Sequence, residues 1–461
     1  MRATKPSGVF KYRNRNLPKN GDEMLKTAIK FFLFTMAAAA LQPMYALSAE
    51  TADLTVLEGS TLTLSRCLDI GLANAPDIKS AEFIVRASRA RLKEAQAGWY
   101  PSANINAGYT ANRAVHKNIS DPFSANIATY DARSAGLYVN QMLYDFGRTK
   151  AITGISSDSL GFAQRGKENT VLSLVTNVKM NYYGLLGAQR LREVQKETVA
   201  QYNKQLLVAQ SHFSAGTKPK YDVTKAEVDL SNARLQLIQA EHQVQLARAA
   251  LNAAMNNISA PDYFIEDTLD YVKLEVAFDD IVAAACGFNP EIKAQEEVIK
   301  AGEHKIILSR SNYYPVLKGF AGYNYFGSVS PLSEGWNAGL AVSMNLFNGF
   351  SDNNKLAEAE NELSADRMKL DNLKLLISLE ARQSFLSLQN AEDSIESATL
   401  QVKQATENME IATARYETGL GSPVEVADAT VSYGKAKQAL IQALYDYKRS
   451  QTDIEKIMGK Q

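Results

Sequence analysis

Two cysteines in 461 residues, Cys67 and Cys286, cannot build a disulfide framework. An exported protein permits a bridge between them, but both are read as buried free thiols. Histidine is nearly as scarce. His116, His212, His242 and His304 are scattered, with no acid and nucleophile at catalytic spacing, and neither CxxC nor HExxH occurs. The segment GTKPKYDVTK, which starts at Gly216, lacks the second glycine and the Lys-Ser/Thr ending of a phosphate loop. These absences argue against an enzyme and against a bound cofactor or metal. Past the N-terminal segment, no run reaches the ~18 apolar residues of a membrane-spanning helix.

Net charge is also missing: 50 basic residues balance 50 acidic ones, but unevenly along the chain. Residues 1–46 hold eight of the basic residues and only Asp22 and Glu23 of the acidic ones. The remainder carries 42 basic against 48 acidic residues, a net of −6, which is a poor footprint for nucleic acid. Within 1–46, the basic start, the apolar run from Ala28 to Leu41 and the small residues Ala46, Ser48 and Ala49 read as a secretory signal peptide, with Met24 as an alternative start.

What the chain does contain is written twice. NAPDIKSAE at 74–82 parallels FNPEIKAQE at 288–296, and GWYPSANINAGYT at 98–110 parallels NYYPVLKGFAGYN at 312–324. The spacing is 214 residues, as from Pro76 to Pro290. It then falls to 203, as from Leu137 to Leu340 and from Gly216 to Gly419. The 11-residue difference arises between 110 and 137. The chain therefore divides into a leader (1–46), a first repeat (47–254) and a second repeat (255–461) that opens with a linker. Each repeat runs helix, strand pair, long helix, break, long helix.

The strand pairs are expected near 101–112, 134–145, 315–326 and 337–347. Ala103, Ile105, Ala107 and Tyr109 alternate with Ser102, Asn104, Asn106 and Thr110; Leu340, Val342, Met344 and Leu346 alternate with Ala341, Ser343 and Asn345. Period-two alternation with flanking aromatics such as Trp99, Tyr100, Tyr313 and Trp336 suits a membrane β-strand. Four strands cannot close a barrel, and an open edge cannot sit in lipid, so closure needs further copies of the chain. Residues 111–134 are expected to form the longer external loop and 327–336 the shorter. After the breaks, Val223, Leu230, Leu237, Val244 and Leu251 recur every seven residues, with Ala226, Ala233, Ala240, Ala247 and Ala254 between them. Val426, Tyr433, Leu440, Tyr447 and Ile454 keep the same register. Sustained heptads predict coiled-coil packing, and each broken segment is the far turn of a long antiparallel hairpin.

The doubled helix starts, the WYP and YYP strand entries, LYDFGRTKA and NLFNGFSDNNK after the strands, and the glycine-containing turns together resemble the TolC family of bacterial outer-membrane channels over nearly all of 57–461. The resemblance implies a mixed α+β membrane protein: a homotrimer with a 12-stranded barrel in outer-membrane lipid, four strands per chain, continuous with an α-helical coiled-coil tunnel through the periplasm. Residues 47–73 and 255–287 would supply a belt around it. It implies a passive exit duct, served by a periplasmic adaptor and an inner-membrane RND or ABC transporter, for efflux or for type I secretion. The alternative reading is a structural or adhesive periplasmic coiled-coil protein.

The resemblance also assigns residues. Adaptor docking falls on the hairpin turns, at Gly216, Thr217, Pro219, Gly419, Gly421 and Pro423. Glu425 and Asp428, three residues apart on one helix face, match acidic residues of a cation-selective constriction, and threefold symmetry would repeat them into rings of six carboxylates. Asp222 and Tyr416 match residues that hold the tunnel closed. The sequence departs from the family at Gly421, where an arginine that bonds to the Asp222 position is expected.

Overall fold

The computed structural model describes residues 58–118, 121–328 and 332–460. The signal peptide, its cleavage site and the first part of the belt lie outside these residues. Eight helices and six strands are found among the described residues. Strand β1 (Thr61–Leu62) leads into α1 (Leu64–Asn74) and α2 (Pro76–Gln96). A hairpin of β2 (Ser102–Asn118) and β3 (Asp121–Tyr144) follows, then α3 (Arg148–Ser214) and α4 (Lys220–Ala254). The second half gives β4 (Phe264–Ile265), α5 (Phe278–Phe288), α6 (Pro290–Ser311), β5 (Val316–Gly327), β6 (Ser333–Ser343), α7 (Ser351–Glu417) and α8 (Pro423–Ile457). Helices α3 and α7 are both 67 residues long, and α4 and α8 are both 35. A 67-residue helix reaches about 100 Å at ~1.5 Å per residue.

Proline at the first helical position starts α2 and α6, where its missing N–H would have no intrahelical partner. At α6 the Asn289 side chain also accepts from Glu291 N at 2.9 Å. The start of α3 depends on Asp145, whose carboxylate accepts from Gly147 N at 3.2 Å and from Thr149 N at 2.7 Å. The heptad seam is present as read: Ala226, Leu230, Ala233, Ala240, Val244 and Leu251 are buried on α4, as are Val426, Ala429, Tyr433, Ala436, Ala443 and Tyr447 on α8. Helix α3 packs against both α4 and α8, so the two hairpins are joined along their length.

The four long strands form one antiparallel sheet, ordered β2-β3-β5-β6. Ile105, Leu137, Tyr323 and Trp336 lie in one row across it, and Ala103, Val139, Ala321 and Ala338 in the next row on that face. The opposite face carries Asn104, Tyr138 and Asn337 in one row and Asn106 and Asn324 in another. One face is therefore apolar and exposed (Ile105 is 81% accessible) while the other is amide-rich.

Three expectations are corrected. Residues 111–118 and 121–134 are not a loop, because the β2–β3 ladder continues from Ala111↔Asp131 to Asn118↔Asp121. Pairing of β3 with β5 stops at Arg133↔Gly327, so the 11 extra residues lengthen a two-stranded ribbon beyond the rest of the sheet. The loop was expected from the 11-residue difference in repeat spacing, but extra chain can pair with itself as readily as it can form a loop. The last strand ends at Ser343, leaving Met344 and Leu346 outside it. Finally, Cys286 is exposed, because α5 turns Ile281 and Ala285 to the core instead. Cys67 is buried, and burial pushes its thiol up to about 12. Maleimide at pH 7.5 should label Cys286 in the folded protein and Cys67 only after denaturation, since the thiolate is the nucleophile. Equal labelling of both in the folded state would contradict this packing.

The segment between the repeats lies across the helices, tied by two tyrosines. Tyr182 of α3 donates to Glu266 O at 2.7 Å. Tyr447 of α8 donates to Val272 O at 2.7 Å and accepts from Leu274 N at 2.9 Å. Arg190 adds a two-pronged contact to Asp267 at 2.8 and 2.9 Å. Strands β4 and β1 pair in parallel, which fixes the segment to the start of the described chain.

Candidate functional site

The two far turns are built alike. Gly216 (φ +72°) and Gly419 (φ +81°) take the left-handed conformation that ends a helix at low steric cost. Thr217 N donates to His212 O at 3.0 Å and Gly216 N to Phe213 O at 3.0 Å; Leu420 N donates to Arg415 O at 2.9 Å and Gly419 N to Tyr416 O at 3.0 Å. These are matched Schellman caps. The restarts differ. At α8, Ser422 Oγ accepts from Glu425 N at 3.2 Å and Pro423 is the first helical residue, whereas Pro219 precedes α4 with no side-chain cap. Gly216, Thr217, Pro219 and Gly419 are exposed, while Gly421 and Pro423 are buried.

Behind the turns the sequence-predicted residues separate into two groups. Tyr416 (1% accessible) and Asp222 (6%) are buried. The Tyr416 hydroxyl is pushed above its usual range, first by burial and then by the nearby Asp222 carboxylate. The His212 ring meets the Tyr416 ring edge-on at 6.0 Å. Glu425 and Asp428 are exposed on the first turns of α8 and share a face as expected. The structure therefore brings Asp222 to Tyr416 and keeps the acidic pair in solvent.

At Gly421 the sequence has glycine for a reason visible in the turn. A Cβ there would lie 3.0 Å from Tyr416 N and 3.2 Å from the Arg415 carbonyl carbon. Those neighbours are backbone held by the cap, since Gly421 N also donates to Arg415 O at 2.8 Å. The arginine that the resemblance leads one to expect would be crowded here, and the capped backbone would have to give by a few tenths of an ångström to take it.

One residue at the site was not singled out by sequence. Gln205 is buried (4% accessible), and its Nε2 donates to Pro423 O at 3.1 Å, joining α3 of the first hairpin to the start of α8 in the second. Its Oε1, like the Tyr416 hydroxyl, has no hydrogen-bond partner among the described residues, and both side chains line one small crevice with Val208 and Val426. The signal was available: Gln205 stands between Tyr202 and Ala209 in a buried seam, where an amide is out of place. Lys204 adds a second link between the hairpins, 2.7 Å from Glu417.

Compared with known proteins, residues 68–257 and 282–460 match the profile of the outer membrane efflux protein family. The chain is 20% identical over 404 residues to a probable efflux pump outer membrane protein, TtgC, of Pseudomonas putida, covering 86% of this chain and 82% of that protein. It is 23% identical over 411 residues to the outer membrane protein TolC of Escherichia coli K12, covering 83% and 79%. Among solved structures, CusC superposes with a TM-score of 0.77 at 19% identity, covering 91% of this chain and 97% of that one. The outer-membrane channel OprN gives 0.76 at 16%, covering 91% and 99%.

Proposed function

The chain belongs to the outer membrane efflux protein family, and from that premise we propose how its parts make a working duct. It is an outer-membrane exit channel of an efflux system, extending into the periplasm. Family members are channels rather than enzymes, which fits the lack of catalytic spacing in the sequence.

Three copies close the sheet into a 12-stranded barrel, with the two repeats, 47–254 and 255–461, each giving one strand pair and one helical hairpin. The observation that carries this reading is the sheet itself. Among the described residues its outer strands β2 and β6 have no neighbour on their far edges, and its apolar rows are exposed. Bare backbone edges cannot sit in hydrocarbon, so they are satisfied by the next copy. The exposed rows then face lipid and the asparagine rows face the lumen. The helical hairpins extend the lumen through the periplasm. A purely structural or adhesive coiled coil would leave this sheet unexplained.

The two turns are the docking end for a periplasmic adaptor, which couples the duct to an inner-membrane RND or ABC transporter. Asp222, Tyr416, Glu425 and Asp428 form the gate and constriction. Relatives named for antibiotic, toluene and cation efflux support small-molecule efflux over type I secretion. Detergent-purified protein should sediment as a trimer and conduct in planar bilayers. A conducting monomer would overturn the closure argument.

A further inference from the structure

The acidic pair on α8 has a neighbour of opposite charge. Arg415, the residue before buried Tyr416, turns its side chain to solvent, and its Nε lies 3.7 Å from Oε2 of Glu425; the two side chains are 57% and 51% exposed. The contact bridges the last turn of α7 and the first turn of α8. Arg415 is held in place from behind, because its carbonyl accepts from both Leu420 N (2.9 Å) and Gly421 N (2.8 Å). Asp428 differs: it has no ion pair among the described residues, and its charge adds, after burial and Asp229, to what pushes the nearby Tyr202 hydroxyl up.

An exposed pair at this distance adds little to stability, a median of roughly 0–1 kcal/mol. Its effect on the electric field is larger, because rings of charge at a constriction set which ions pass. We propose that Arg415 is a selectivity-determining residue of the duct's narrow end: it offsets the Glu425 carboxylate, leaves Asp428 as the uncompensated charge, and so holds the cation preference below what six carboxylates would give. This rests on the reading that Glu425 and Asp428 face the lumen. Arg415 touches Glu425, so it faces the same space.

The test is the reversal potential of the purified trimer in planar bilayers under a KCl gradient, at low ionic strength where screening is weak. Arg415→Gln should raise the cation-to-anion permeability ratio several-fold and strengthen block by hexaamminecobalt. Glu425→Gln should lower the ratio by uncovering the guanidinium. The double variant, which removes one charge of each sign, should return close to the parent ratio, and Arg415→Lys should match the parent. Sedimentation of each variant as a trimer checks assembly. If Asp428→Asn shifts the potential and Arg415→Gln does not, the Arg415 proposal is wrong and the constriction stands. If neither shifts it, both are wrong.

Discussion

Leucine in place of Gly216 or Gly419 is expected to abolish export while the protein still assembles in the outer membrane. Both glycines have φ near +75° (+72° and +81°), so any L-residue is strained there. For a non-glycine residue the left-handed conformation costs roughly 1–2 kcal/mol. That is small against hairpins held by a continuous buried seam. A Cβ at either glycine meets no atom within 4 Å, so the new side chain projects into open space. The damage is therefore done to whatever approaches the turn. Asparagine tolerates the same φ with a shorter side chain and should preserve most export. Drug susceptibility of cells carrying each variant, read beside the amount of heat-resistant trimer, measures this. Normal efflux with leucine at both positions would mean the turns are only turns.

The second large effect is expected from Glu425→Gln combined with Asp428→Asn. Both carboxylates stand exposed on one face of α8, just past the cap from Ser422. Removing them takes both formal negative charges from the first two turns of α8 while Arg415 remains. Cation selectivity in planar bilayers should fall, and block by multivalent cations should weaken, because crowded carboxylates favour cations electrostatically. Unchanged selectivity and block would place these charges on the outer surface of the tunnel. Export of neutral solutes should be much less affected than ion permeation, since the substitutions change charge with almost no change in volume.

The helical half of this molecule was legible because coiled coils write their packing into a period. Leu230, Val244, Leu251 and their alanine partners are buried where the sevenfold spacing puts them. The turns were legible for a different reason. A glycine that ends one helix two hundred residues before another glycine does the same is a backbone requirement, and few other residues can meet it. The ribbon at 111–134 was misread because the 11-residue difference in repeat spacing shows only that chain is added, not whether it pairs with itself. Cys286 was misplaced because one position on a short helix such as α5 cannot be assigned to a face without knowing what the helix packs against. Gln205 was overlooked because its partner is a main-chain carbonyl 218 residues away. The crowding at Gly421, unlike Gln205, leaves no signal in the sequence, since it depends on how tightly the cap folds the chain back on Tyr416.

The tyrosine ties at mid-length also have a mechanical meaning. Tyr182 and Tyr447 grip the inter-repeat segment from two different helices, and the turns lie far down the rods from them. From Tyr182 to Ser214 is about 50 Å along α3 at ~1.5 Å per residue. A lever of that length, tilting by about 5° around its fulcrum, would carry its free end about 4 Å sideways. On the proposed reading, in which the turns line the narrow end of the duct, the bore there would depend on how stiffly Tyr182 and Tyr447 clamp the inter-repeat segment as well as on the side chains at the turns.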